Sequence, residues 1–185
     1  MKESKAMASI AEIRERARKH LEQGAVTDEY KADRKQVISV LNELLATELV
    51  CVLRYKSHYY NVFGIHSDAV KPEFLQHAQE AQQHADLLAK RIVELNGAPD
   101  FNPAGLAQRS RSEFSAKAPD LIAMIRDDLV AERIAVESYS EVARWLGLDD
   151  PTTRKVMLDI LAVEEEHAMD MKTLIADLLE ARKVK

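Results

Sequence analysis

Cysteine is nearly absent: Cys51 stands alone among 185 residues. That excludes an intrachain disulfide and a paired-cysteine electron-donor site, and it fits a reducing compartment. Glycine and proline number five each and gather between stretches of helical periodicity, so strand signals are few. A basic excess is also missing. The formal net charge of −5 excludes nucleic-acid binding by bulk charge and favours cations locally. The first ten residues contain no apolar core of a secretory signal. The longest apolar run, Val37 to Leu53, is broken by Asn42, Glu43 and Glu48, which argues against a membrane span. Glycine-rich phosphate loops and Ser/His/Asp arrangements do not occur. These absences describe a cytoplasmic protein with no membrane partner.

What is present is helical. With 46% hydrophobic residues, the chain has apolar mass for one core of ordinary size. Residues 1–35 form a mixed-charge extension in which Ile10, Ile13, Ala17 and Leu21 are spaced for a short amphipathic helix ending at Gly24. Residues 36–182 carry four long periodic runs. The first, 34–63, sets Val37, Leu41, Leu44, Val52, Tyr55 and Tyr59 on one face. The second, 72–96, opens at Pro72 and sets Phe74, Ala78, Ala81, Ala85, Leu88 and Ile92 on another. The third, 118–147, and the fourth, 151–181, repeat the pattern, the fourth after an acidic cap at Asp149-Asp150-Pro151. Residues 97–117 are the longest connection, as a crossover along a bundle requires. The expectation is an all-α antiparallel four-helix bundle with a long crossover between its second and third helices, preceded by a short helix.

Each run puts a polar ligand type in a core slot: Glu48 on the first, His84 on the second, Glu132 on the third, and Glu164 with His167 on the fourth. A buried carboxylate is costly unless it is paired or bound to a metal. Arg126, Arg133 and Lys172 fall off the apolar faces, so bound cations are the remaining means of neutralising three inward carboxylates. Oxygen-rich ligation mixed with imidazole suits iron or manganese better than zinc. Two such ions a few ångström apart can give dioxygen or peroxide two electrons at once, so the reaction class is oxidation of Fe(II).

The spacing resembles the ferritin-like superfamily, most closely its bacterioferritin-type branch, over about residues 36–180. The shared motif is one Glu on each of two helices and Glu-x-x-His on the other two. Glu48, Glu132 and the pair Glu164/His167 match it, and the stretches Leu41 to Glu48 and Gln83 to Asp86 read like the branch. Tyr55 is similar to the family's tyrosine beside the ligands, and Tyr139 follows Glu132 by the same seven residues. The resemblance implies a di-iron ferroxidase that stores or detoxifies iron in a homo-oligomer or cage. Three positions depart from it. Ala81 stands where the second helix should carry Glu, leaving Glu80 beside the site but turned from the apolar face. Gln82 occupies the haem-ligating methionine position, so haem is not carried over. Only Lys183 to Lys185 follow the last helix, too few for the short fifth helix of the large cage.

Ala81 keeps a second expectation open: an impaired or mononuclear structural subunit, or one that protects DNA, motivated by the basic residues Lys2, Lys5, Arg14, Arg16, Arg18 and Lys19. DNA is the weaker partner reading, because Glu3, Glu12, Glu15 and Glu22 are interleaved with them. His20, His58, His66 and His77 are set aside as surface or hydrogen-bonded histidines, although His77, two turns before His84, suits a role in admitting ions. Cys51 is expected as a core filler. Asp127, Asp128, Glu165 and Glu166 are expected on solvated faces.

Overall fold

The structure, a computed structural model, describes residues 7–64, 67–115 and 118–183. Lys2, Glu3, Lys5, His66 and Lys185 lie outside the described residues. Six helices follow in order: α1 (Ile10–Arg16), α2 (Arg34–Asn61), α3 (Ser67–Glu94), α4 (Leu106–Arg109), α5 (Leu121–Leu146) and α6 (Pro151–Lys183). No strand occurs among the described residues.

Caps in the sequence set several helix starts. The Asp33 carboxylate accepts from the backbone N–H groups of Lys35 and Gln36, Asp120 from Ala123, and Asp150 from Thr153. α2 pairs with α3 and α5 with α6, and the two hairpins close into a four-helix bundle. Two apolar clusters show the helix directions. One gathers Leu41 and Leu44 of α2, Leu88 and Ile92 of α3, Val142 and Leu146 of α5, and Met157 and Ile160 of α6. The other gathers Val52 and Tyr55, Val70 and Phe74, Ile122 and Ile125, and Met171 and Leu178 from the same helices. α2 and α6 therefore run from the first cluster to the second, and α3 and α5 run back. α3 ends at the first cluster and α5 begins at the second, so residues 95–120 must cross the bundle's length.

The crossover is held along one polar edge of α2. Asn42 accepts from the Asp100 N–H at 2.7 Å, Thr47 Oγ1 accepts from the Arg111 N–H at 2.9 Å, and Arg54 donates to Ser112 at 3.0 Å. α2 is long and apolar enough to cross a membrane, with mean hydropathy 1.6 over its best window. Most of its apolar residues, however, are ones the bundle buries.

Two expectations are corrected. α3 begins at Ser67, five residues before Pro72, so Pro72 lies inside the helix. The proline removes one hydrogen bond near the exposed start, and burial of Val70 and Phe74 outweighs that loss. The N-terminal helix is also shorter than the apolar spacing suggested. Ser9 and Glu12 form a capping box that starts it, and it stops at Arg16; His20, at φ +52°, breaks the stripe. Ile10, Ile13 and Leu21 remain exposed, so this stripe does not dock on the bundle. The segment is fastened further along, where Val26, Tyr30 and Ala32 pack against the first cluster.

Candidate metal centre

Between the two apolar clusters, each long helix delivers polar side chains to one buried place. Glu48, His84, Glu132, Glu164 and His167 are all buried, and His77 joins them. Their ligand atoms form two groups able to hold a cation: Glu48, His84 and Glu164 in one, His77, Glu132 and His167 in the other. In the first, His84 Nδ1 lies 2.8 Å from Glu164 Oε1 and 3.6 Å from Glu48 Oε2. In the second, Glu132 Oε1 is 3.7 Å from His77 Nδ1, and Glu132 Oε2 is 3.7 Å from His167 Nδ1. Glu164, a member of the first group, also borders the second, because its other oxygen, Oε2, lies 3.6 Å from His167 Nδ1.

The surroundings orient these atoms. Tyr139 donates to Glu48 Oε1 at 2.5 Å, and Tyr55 donates to Glu132 Oε1. Tyr55 lies on α2 with Glu48 and Tyr139 on α5 with Glu132, so each tyrosine serves the carboxylate of the opposite hairpin. Glu80 Oε2 lies 2.7 Å from His167 Nε2, and its other oxygen accepts from Gln76. A carboxylate on Nε2 holds the proton there and leaves the Nδ1 lone pair facing Glu132 and Glu164. Glu80 therefore sits beside the site, on the outer nitrogen of His167. Ala81 packs instead into the second apolar cluster, with Tyr55, Phe74 and Ala78.

Burial raises the Glu48 and Glu132 carboxyls above their ordinary value, with the nearby Glu164 charge adding to it. Glu164 goes the other way: burial opposes its charge, but contacts with His167 and His84 outweigh burial and lower it. Burial also disfavours charge on the imidazoles, yet Glu164 and Glu48 raise His84 to about 9, and Glu132 and Glu164 raise His167 to about 11. His77 is pushed down to about 3, by burial and then by the charge of His167, whose ring stacks on it at 3.9 Å. Without a cation, the centre neutralises itself with protons.

The donor set fits divalent cations. Three carboxylates and three imidazoles meet here, and both nitrogens of His77 are buried without a hydrogen bond among the described residues. Among the described residues no buried Lys or Arg competes. The buried arginines lie away from the centre, Arg54 against Ser112 and Arg91 against Asp150 and Thr153.

His77 is the residue that sequence reasoning misplaced: it is fully buried, not on the surface, and makes no hydrogen bond. One signal could have found it. Glu48 and Tyr55, His77 and His84, and Glu132 and Tyr139 are each seven residues apart, two turns along one helix face. One further correction concerns α5, and it involves His58 of α2. His58 has partners, with Nδ1 2.8 Å from Asp128 and Nε2 2.9 Å from the Ser115 carbonyl. Asp128 is accordingly buried, not solvated, and burial raises its carboxyl against the opposing pull of His58. Glu165 and Glu166 are exposed, and Cys51 is buried in the second cluster with its thiol pushed up by burial. Gln82 donates to Asp86 on the helix surface.

Known proteins share this arrangement of helices. The ferritin family model, a ferritin-like domain, matches residues 38–181. The bacterioferritin-related protein of Bacteroides fragilis, described as a dodecameric thioferritin, superposes with a TM-score of 0.80 at 32% identity, over 83% of this chain and 92% of that one. The DNA protection during starvation protein of Pyrococcus furiosus is 28% identical over 138 residues, covering 73% of this chain and 74% of its own. The bacterial ferritin of Paramagnetospirillum magnetotacticum is 32% identical over 112 residues, covering 59% of this chain and 62% of its own.

Proposed function

The chain belongs to the ferritin-like family, and from that premise we propose that it binds Fe(II) as substrate at the buried Glu/His centre, oxidises it, and stores or detoxifies the product as a homo-oligomer. One observation carries the reading: the two oxygens of Glu164 face His84 and His167, so the carboxylate of one three-residue group borders the other group. Glu48, His84 and Glu164 hold one ion, and His77, Glu132 and His167 hold the other. His77 thereby supplies from the preceding turn what Ala81 lacks. Two ferrous ions each give one electron to dioxygen; with two protons, the products are two ferric ions and hydrogen peroxide.

The protein's own groups prepare this step. Tyr55 and Tyr139 each occupy one oxygen of a carboxylate and leave the other for an ion. The protons on His84 and His167 depart as the ions arrive, which couples loading to proton release. The apolar clusters on either side exclude water. Exposed Tyr60, Phe63 and Leu148 supply apolar surface for subunit contacts, which light scattering on the purified protein checks. Stopped-flow absorbance after anaerobic Fe(II) loading and mixing with oxygen tests the oxidation. A rapid Fe(III) signal is expected, and a signal no greater than that of His167→Ala overturns it.

The name of the Pyrococcus furiosus relative supports a second reading, a DNA-protecting subunit. Arg14, Arg18 and Lys19 are exposed, but Arg16 is paired with Glu29 and Lys19 with Glu15. A mobility-shift assay at low salt decides it; the absence of any shift excludes DNA protection by direct binding.

A further inference from the structure

We propose that Glu73, His77 and Asp170 form a third cation position, at the rim of the bundle and on the route to the buried pair. This rests on reading the inner groups as a cation centre. Ligand atoms of the three residues lie within 4.8 Å of one another. Glu73 and Asp170 are half-buried and open to solvent, and His77 is buried beneath them. Clustered acids alone are common on helix surfaces. The imidazole sets this cluster apart: Nε2 of His77 points at Asp170 Oδ2, 3.8 Å away, and is buried without a hydrogen bond.

The same ring looks inward through its other nitrogen, since Nδ1 faces Glu132 at 3.7 Å and is likewise unbonded. A neutral imidazole offers one lone pair. His77 therefore serves the rim through Nε2 or the inner group through Nδ1, one at a time. An ion at the rim is held by two carboxylates and one nitrogen, and it loses that nitrogen when the ring turns its lone pair inward. Shared use of one ring makes the outer position a transit site, with weaker retention than the inner pair. Nothing else in the centre has this two-sided placement among the described residues: Glu48, Glu132 and Glu164 are enclosed, and Nε2 of His167 is taken by Glu80.

Co(II) is the probe, used on the full chain and on a Glu73→Gln/Asp170→Asn variant that leaves every inner residue intact. Anomalous diffraction at the cobalt edge should show density at the inner groups and a separate peak between Glu73, His77 and Asp170. The variant should keep the inner density and lose the rim peak. Stopped-flow growth of the Co(II) d–d absorbance should slow by at least about tenfold in the variant, because the acids concentrate cations at the mouth, while the final amplitude stays the same. Inner density without a rim peak in the unaltered chain overturns this proposal and leaves the proposed function standing. A rim peak without inner density supports the rim site and overturns the reading of the inner centre. No density at either place overturns both. An unchanged loading rate in the variant overturns the route.

Discussion

His77 shows how a single side chain can change what a buried centre holds. It occupies the turn before the Ala81 gap and meets Glu132 and His167 from α3, so its loss should remove one of two inner ions. Anaerobic Co(II) titration of His77→Ala is expected to give one inner equivalent where the unaltered chain gives two. Adding Ala81→Glu to that variant should restore the second, because the new carboxylate starts from the same helix face. Failure of the double variant to recover would show that the two positions are not interchangeable. Most of this centre was legible in the sequence for one physical reason: a carboxylate in a slot that periodicity assigns to leucine is conspicuous. Glu48, Glu132 and Glu164 stood out on that ground. His77 did not, because a histidine beside an apolar stripe has many ordinary uses. Only its missing hydrogen bonds, a property of the folded state, separate it from His58, which has two partners.

Helix by helix, the local signals and the tertiary ones divide differently. Caps at Asp33, Asp120 and Asp150 are written in short-range chemistry, and the one read from the sequence, at Asp150, acts as suggested. The start of α3 is not, since its upstream turn is held by packing of Val70 and Phe74 against residues far away in the chain. Asp150 does more than cap α6. It accepts from Arg91 at 3.1 Å, from Thr153 and from the Tyr30 hydroxyl at 2.9 Å, joining α3, α6 and the N-terminal segment. Asp150→Ala removes the buried carboxylate of Arg91 and leaves the guanidinium only Glu94, on its more exposed side, 3.1 Å away. A loss of about 2–3 kcal/mol is expected in urea unfolding, from the lost charged hydrogen bonds and the lost cap. Tyr30 loses its acceptor as well, so limited proteolysis should cut the segment before α2 sooner in this variant than in the parent. Equal unfolding midpoints would refute the linkage.

For the molecule as a whole, the cation-free centre makes stability depend on pH in a defined direction. His84 and His167 are raised from 6.5 to about 9 and about 11, by Glu164 with Glu48 and by Glu132 with Glu164, against burial. A group raised on folding contributes stability that is full below its unfolded value and is lost as pH climbs through the folded one. The thermal midpoint of the cation-free protein should therefore fall between pH 7 and pH 10. The fall should be smaller with Co(II) bound, since the imidazoles are then neutral ligands throughout. Glu164 has the opposite sign, and its contribution is lost on acidification below its ordinary 4.5. Scanning calorimetry at matched ionic strength measures both limbs, and a flat alkaline limb in the cation-free protein would contradict the assignment.

The crossed tyrosines carry a consequence for how such a chain could arise and change. Tyr55 reaches from the first hairpin to Glu132, and Tyr139 reaches back from the second to Glu48. A hairpin that associated with its own copy would make this bond twice, because two-fold symmetry turns one exchange into two. Within one chain the exchange is a mutual dependence: the assembled bundle without either tyrosine would bury a carboxyl without its donor. Drift in either half is then constrained by the other at these four positions. The exchange does not extend to the other ligands: the first hairpin supplies His77 and His84 where the second supplies Glu164 and His167.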